Sequence, residues 1–266
     1  MIPTLDQRLA LRQRPDRIPA MRQRWSRLLF AHWNLEPTLI QETLPKGLHV
    51  DTFNGEAWIG IVPFYMQRVR PVFAPPLPWL SWFLELNVRT YVYDDQGNSG
   101  VWFYSLDCNQ PVAVEIARWA FHLPYQHARM KAVLTGETVD YRCQRKGEPV
   151  ASRYQYRPAE TALRTAEPGT LEFFLLERYL LFSTSSKGHI YTGQVHHEPY
   201  PFTEAVCDVV DLEPLRQAGF KVEDSRARSL LYSPGVDVTV FPLQRAKGLP
   251  KKVAAASAAF RPDSAP

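Results

Sequence analysis

The chain has 266 residues, 45% of them hydrophobic and 22% charged, which supplies a core for one large domain or two small ones and excludes a chain too polar to fold. Its net charge of +4 is mild, and no run approaches the roughly 18 consecutive apolar residues of a membrane-spanning helix. Three cysteines, odd in number and far apart (Cys108, Cys143, Cys207), exclude a disulfide framework and a zinc knuckle; with no apolar signal segment, the expectation is a reduced, cytoplasmic protein.

Seven arginines, from Arg8 to Arg27, crowd the first 27 residues. They read either as an arm for nucleic acid or another acidic surface, or as a solvated lead-in helix; the second reading is favoured, because the rest of the chain is not basic and carries no nucleic-acid motif. Pro15 and Pro19 separate this arm, residues 1–23, from a single domain over 24–245, and an Ala/Ser/Lys/Pro-rich tail over 246–266 is expected to be disordered.

Within the domain, 24–33 reads as a strand and 36–44 as a short helix that Asn34 would cap. Residues 49–53 and 57–69 read as strands, the second carrying Pro63 and therefore an edge or a bulge. A proline-rich loop, 69–80, is either a stiff connection or a lid. Strands at 85–93 and 100–106 form a hairpin around Asp94-Asp95-Gln96-Gly97-Asn98. Then comes a helix, with Asn109 as cap, Pro111 at its start and Pro124 at its end. Strands follow at 132–134, 139–145 and 152–157. Thr170 caps a helix from 171, and strands run at 180–183, 189–197 and 205–210. Asp211 would cap a short helix closed by Gly219, and a final strand pair, 228–232 and 236–242, would turn at Ser233-Pro234-Gly235. About ten strands and a few short helices imply an α+β, mainly β chain whose antiparallel sheet closes into a barrel or cone able to hold a small ligand.

The strings LPKGLHVDTFNGEAWIGIVPF, ELNVRTYV, GVWFYSLD, ARWAFHLPYQHARM and VHHEPYPF resemble, in that order, the DUF2071 (YqjF-like) family of uncharacterised bacterial proteins, over about residues 24–243. That family looks like a branch of the acetoacetate decarboxylase-like superfamily. The resemblance implies that superfamily's β-barrel or cone, and it places the decarboxylase's Pro-Lys-Lys turn at Pro124-Tyr125-Gln126. The decarboxylase works through a Schiff base on a lysine whose pKa a second lysine lowers. Neither Tyr125 nor Gln126 can form an imine, and Lys131 lies beyond Arg129 in a strand, so this chemistry is not expected here.

Tyr125, His127 and Arg129 alternate, so extended backbone would gather a phenol, an imidazole and a guanidinium on one side. Tyr125 and His127 are the acid–base candidates, with Gln126 and Arg129 beside them as ligand contacts. The bland alternative is a surface His127 and a Tyr125 packed with its hydroxyl outward. Glu85, Asn87 and Arg89 alternate against Leu86, Val88 and Thr90, giving one polar face, either lumen or solvent. Glu85 or Glu115 would pair with Arg89 or Arg118, as a ligand site or as an internal salt-bridge network. His196-His197-Glu198 does not read as a metal site, because adjacent strand residues face opposite ways. Cys108 reads as structural. No phosphate-binding glycine loop, dinucleotide fingerprint or nucleophile elbow is present, so no cofactor and no metal are expected.

The sequence thus leads to a small-molecule-binding barrel for an anionic or carbonyl ligand, working, if it is an enzyme, by lyase- or hydratase-like acid–base chemistry on a keto or carboxylic acid. The alternative is a non-catalytic sensor or interaction protein that uses the basic arm. Homo-oligomerisation stays open, and membrane and nucleic-acid partners are not expected.

Overall fold

The computed structural model describes residues 1–222 and 224–246; the expected tail therefore lies, apart from Ala246, outside the described residues. In chain order the elements are α1 (Leu5–Ala10), β1 (Met21–Leu35), α2 (Pro37–Gln41), β2 (Leu48–Val50), β3 (Thr52–Phe53), β4 (Glu56–Pro71), β5 (Phe83–Asp94) and β6 (Ser99–Cys108). There follow α3 (Pro111–Phe121), β7 (Tyr125–Thr135), β8 (Thr138–Arg145), β9 (Ser152–Pro158), α4 (Leu171–Leu176), β10 (Leu180–Thr184) and β11 (Ile190–His196). The last elements are β12 (Thr203–Val210), α5 (Glu213–Gln217), β13 (Ser229–Val240) and β14 (Gln244–Arg245). The mainly β expectation holds.

The sheet closes on itself by two routes, so one simple barrel does not describe it. Strands β13, β1, β4, β5 and β6 run side by side. From β6 the sheet returns to β13 through β7, β8, β9 and β12, and also, by a shorter route, through β10 and β11. The shared strands must therefore bury both faces. Residues 28–33 of β1, 57–64 of β4 and 84–92 of β5 are buried without a break. Leu29, Ala31, Ile59, Leu86 and Val88 pack toward Tyr141, Tyr154 and Tyr156 in the larger ring. Their sequence neighbours Leu28, Phe30, Val62 and Phe64 pack toward Val195 and Val238 in the smaller one. An unbroken apolar run is the pattern of a strand covered on both sides.

Several local expectations are corrected. Asn34 does not cap α2; it lies in β1 and donates to Glu56 (2.7 Å), while Glu36 precedes the helix without a side-chain cap. The cap of α3 is Gln110, which accepts from Val112 N–H (3.1 Å); Asn109 instead accepts from Leu84 N–H (2.8 Å) and ties the helix entrance to β5. Asp211 accepts from Arg153 N–H (2.7 Å) and does not cap α5. The final strand pair is one strand, β13, because Gly235 is not a turn residue. Its φ is +127°, and a Cβ there would sit 2.1 Å from the Trp25 carbonyl oxygen of β1, so only glycine allows that approach. Pro63 does mark an irregularity: the β1–β4 register shifts between Ser26 and Ala31, opposite it.

The arm is folded onto the domain. A capping box joins Thr4 and Gln7 at the start of α1. Arg8 grips Asp51 with two bonds of 2.6 and 2.7 Å, Arg12 pairs with Glu177 (3.1 Å) and Arg17 donates to Gln194 (3.1 Å). The same guanidiniums lie over Phe174, Phe173 and Phe241.

Candidate functional site

A cavity of about 310 Å³ lies inside the smaller ring. Its walls are mostly apolar, from Val69, Phe83, Phe103, Leu123 and Leu181 among others, and α3 covers one side with Ala113, Ile116 and Ala117. Pro71 and Ile116 line it while themselves exposed, which places its mouth between the end of β4 and α3. Its buried polar lining is Glu85, Arg89, Tyr125, Arg178 and Tyr200.

Glu85 projects from β5, whose two faces are both covered, and is 3% exposed. Tyr125 donates its phenolic hydrogen to Glu85 Oε2 at 2.7 Å. Burial pushes the Glu85 carboxyl up to about 7; the Tyr125 bond pulls it back and the nearby Asp107 pushes it further. Burial, then the Glu85 charge, pushes Tyr125 well above the ordinary phenol value, so it acts as a donor. Arg89, one pleat repeat further along from Asn87, donates to the Leu175 carbonyl (3.1 Å) and lies over the rings of Phe30 and Tyr91. Arg178 follows α4 directly and donates to the Phe174 carbonyl and to Asp51, both at 2.7 Å. Burial lowers the Arg178 pKa, and Asp51 opposes that shift. Burial works against the Asp51 charge, yet Arg178 and Arg8 together hold its carboxyl below the usual range. Among the described residues, Nε of Arg89 and Nη2 of Arg178 are buried without a hydrogen-bond partner, and a third arginine, the half-buried Arg70, also lines the cavity.

Two buried histidines stand behind this wall. His32 meets the Tyr91 hydroxyl (2.6 Å), which in turn donates to the Leu175 carbonyl (2.9 Å); burial, then Arg89, lowers its pKa well below the ordinary value. His197 stacks on Tyr179 at 4.6 Å between ring centroids, and its burial lowers its pKa. His196 is only half-buried in β11. Among the described residues, no group of three or more His, Cys, Asp or Glu side chains is gathered to hold a metal. Burial and the Glu85 charge push the Cys108 thiol up to about 12, which keeps it protonated and unreactive.

The structure brings Glu85, Arg89 and Tyr125 into one cavity and leaves the other sequence candidates outside it. His127 bonds Glu115 at 2.9 Å, and Arg118 reaches the same carboxylate at 3.4 Å. Arg118 also donates to the Tyr125 carbonyl (2.8 Å), which fastens α3 to β7. Arg129 is exposed and lines, with His127, Arg145 and Lys146, a separate hollow on the outer surface. Gln126 is half-buried opposite Asp107 of β6 and lines neither space. The expected convergence of Tyr125, His127 and Arg129 is therefore corrected. Helix α3 comes between them: Ala113, Ile116 and Ala117 face the cavity on Tyr125's side, and Glu115 holds His127 on the other. Tyr125 is the first residue of β7 and follows a tight turn, its N–H bonded to the Leu123 carbonyl (2.8 Å).

Sequence pattern does not single out Arg178 or Tyr200. The signal for Arg178 is a charged pair, Glu177-Arg178, directly after the apolar helix LEFFLL. No lysine lines the cavity among the described residues, and Lys131 is exposed.

A family model, DUF2071, described as an uncharacterized conserved protein, matches residues 22–237. The chain belongs to the DUF2071 family. Another similar protein is the uncharacterized protein YqjF of Bacillus subtilis (strain 168), 36% identical over 232 residues, which are 87% of this chain and 94% of that one. Among solved structures, this DUF2071 chain is similar to the acetoacetate decarboxylase of Legionella pneumophila (TM-score 0.59, 11% identity, 88% of this chain and 91% of that one). It is equally similar to an acetoacetate decarboxylase-like enzyme from Sphingomonas wittichii RW1 (TM-score 0.59, 12% identity, 88% and 95% covered). The enduracididine biosynthesis enzyme MppR, solved with pyruvate, gives a TM-score of 0.56 at 10% identity, with 88% and 93% covered. At these identities the likeness establishes the acetoacetate decarboxylase-like fold and nothing of the activity. No helix among the described residues is long and apolar enough to cross a membrane.

Proposed function

We propose that the cavity binds a small molecule carrying a carboxylate or a polarised carbonyl. The observation that carries this is the pair of buried guanidiniums, Arg89 and Arg178, that line a mainly apolar cavity. A guanidinium at the wall of a cavity shielded from water attracts an anionic oxygen more strongly than an exposed one does. Glu85 and Tyr125 form the acid–base pair of the same cavity; a carboxyl poised near neutrality exchanges protons efficiently at physiological pH. Chemistry here runs without an imine, because no described lysine faces the ligand. The pyruvate complex of MppR, in the same fold, lends support to an acidic ligand. The alternative of a partner-docking arm has less support, since Arg8, Arg12 and Arg17 are engaged with the domain itself.

The test is calorimetric titration with a panel of keto and carboxylic acids, repeated with Arg89→Gln. Saturable binding that the substitution weakens at least tenfold is expected. Absence of binding by every acid would refute the proposal. Borohydride treatment in the presence of each keto acid should leave the lysines unmodified; an adduct on any of them would overturn the imine-free reading.

A further inference from the structure

We infer that the ligand is an amphipathic monocarboxylic acid, with its head at Arg89 and Arg178 and an apolar chain running along the cavity toward the mouth. This inference rests on the anion-binding reading above and extends it to a ligand class. Three features support it. Glu85, Arg89, Tyr125, Arg178 and Tyr200 are buried polar lining residues, while Val69, Leu80, Phe83, Phe103, Leu123 and Leu181 clothe most of the remaining walls, with Gln23 and Arg70 as the half-buried polar exceptions. A ligand that presents only polar atoms would leave this surface against water.

The second feature is size. A cavity of about 310 Å³ stands at the lower edge of sites, roughly 300–1,000 Å³, that enclose ligands much larger than a three- or four-carbon keto acid. A short acid bound at the arginines would leave much of this space unfilled.

The third feature is outside. Ile116 lines the cavity and is 47% exposed, so the apolar wall continues onto the surface. There it meets Val112 and Trp119 on the outer face of α3 at helical spacing, Trp119 being 82% exposed. The facing loop, residues 72–82, adds Phe73 (91% exposed) and Trp79 (67% exposed), and Gln110 at the head of α3 bonds the Trp79 carbonyl at 2.8 Å. An apolar rim continuous with an apolar cavity suits a chain that enters tail-outward.

The experiment is calorimetric titration of the full chain at pH 6 with acetate, butanoate, hexanoate and octanoate, alongside pyruvate, acetoacetate and octan-1-ol. Affinity is expected to rise about fourfold per methylene from butanoate to octanoate. Octan-1-ol should bind at least tenfold more weakly than octanoate. The exposed substitution Ile116→Glu, which should not disturb folding, is expected to weaken octanoate more than butanoate. Pyruvate or acetoacetate binding as tightly as octanoate would overturn the amphiphile while leaving the anion-binding proposal intact. Octan-1-ol matching octanoate would overturn the placement of the head at the arginines. Failure of every acid, short and long, would overturn both proposals together.

Discussion

Tyr125 and Glu85 are joined by a 2.7 Å hydrogen bond that spans β6, linking the first residue of β7 to the interior of β5. The bond places a phenol donor and a carboxyl acceptor, both buried, side by side on the cavity wall. Burial disfavours charge on either group, so the pair holds one proton more tightly than exposed side chains would. The pair therefore makes stability, and not only chemistry, depend on pH.

Glu85→Gln should remove much of that dependence. The folded-state value of about 7 lies above the ordinary 4.5, so the native state binds the extra proton, and stability falls as pH rises between those values. Above pH 7 the burden levels off at about 3 kcal/mol. Glutamine stays neutral and still accepts from Tyr125. Urea unfolding at pH 5 and pH 8 should show the variant gaining about 1 kcal/mol over the parent at pH 5 and up to the full amount at pH 8. A difference independent of pH would contradict the assignment.

Tyr125→Phe deletes the donor and leaves Glu85 as a buried acceptor with one partner fewer. Because the Tyr125 bond pulls the Glu85 value down, its loss should move the carboxyl titration to higher pH. Carbon-13 NMR of the glutamate carboxyls would resolve the step, and a step left unmoved would refute the coupling. The variant should also lose about 1–3 kcal/mol below pH 6, where Glu85 is neutral in both proteins.

The arm and the cavity meet at one carboxylate. Asp51 accepts from Arg8 on one side and from the cavity arginine Arg178 on the other, both almost buried. Asp51→Asn strips the charge from under Arg178 and should cost about 3–5 kcal/mol at pH 7. The folded pKa of Asp51 is depressed, so its contribution is present above the ordinary carboxylate value and lost as pH falls below it. The deficit should therefore shrink at pH 3. Arg8→Ala leaves Arg178 paired and should cost less, about 1–3 kcal/mol. Urea unfolding of both variants at both pH values checks the ranking.

The sequence showed strands well where one periodicity ruled. The hairpin of β5 and β6 was legible from its turn residues, and the alternation of Glu85, Asn87 and Arg89 marked one polar face without deciding between lumen and solvent; two of the three, Glu85 and Arg89, line the cavity. It could not show that the opposite face is also buried, because that follows from the second ring, which depends on sequence-remote pairings such as Leu181 with Val101 and Val195 with Val240. The same limit hid Arg178: its role depends on β10 lying parallel to β6, which brings the end of α4 under β5. His127 failed as a candidate because alternation has no knowledge of a helix laid across the face. The arm arginines likewise read as solvated, since their acceptors Asp51 and Glu177 lie 43 and 165 residues away in sequence.

Gly235 offers a test of the fold that does not touch the cavity chemistry. It sits in β13 with φ at +127°, where a side chain is strained, and a Cβ there would lie 2.1 Å from the Trp25 carbonyl oxygen and 2.7 Å from Ser26 Cα. Both are backbone atoms of β1, the strand common to both rings, so neither can move without opening a ladder. Gly235→Ala should therefore cost at least about 3 kcal/mol, the sum of overpacking and left-handed strain. Gly55 is the control: its φ is +84°, but nothing lies within 4 Å of where a Cβ would stand, so Gly55→Ala should cost about 1 kcal/mol from the backbone alone. Equal losses in urea unfolding would show that β13 and β1 are not pressed together at Gly235, and the continuous β13 would then have to give way to two strands.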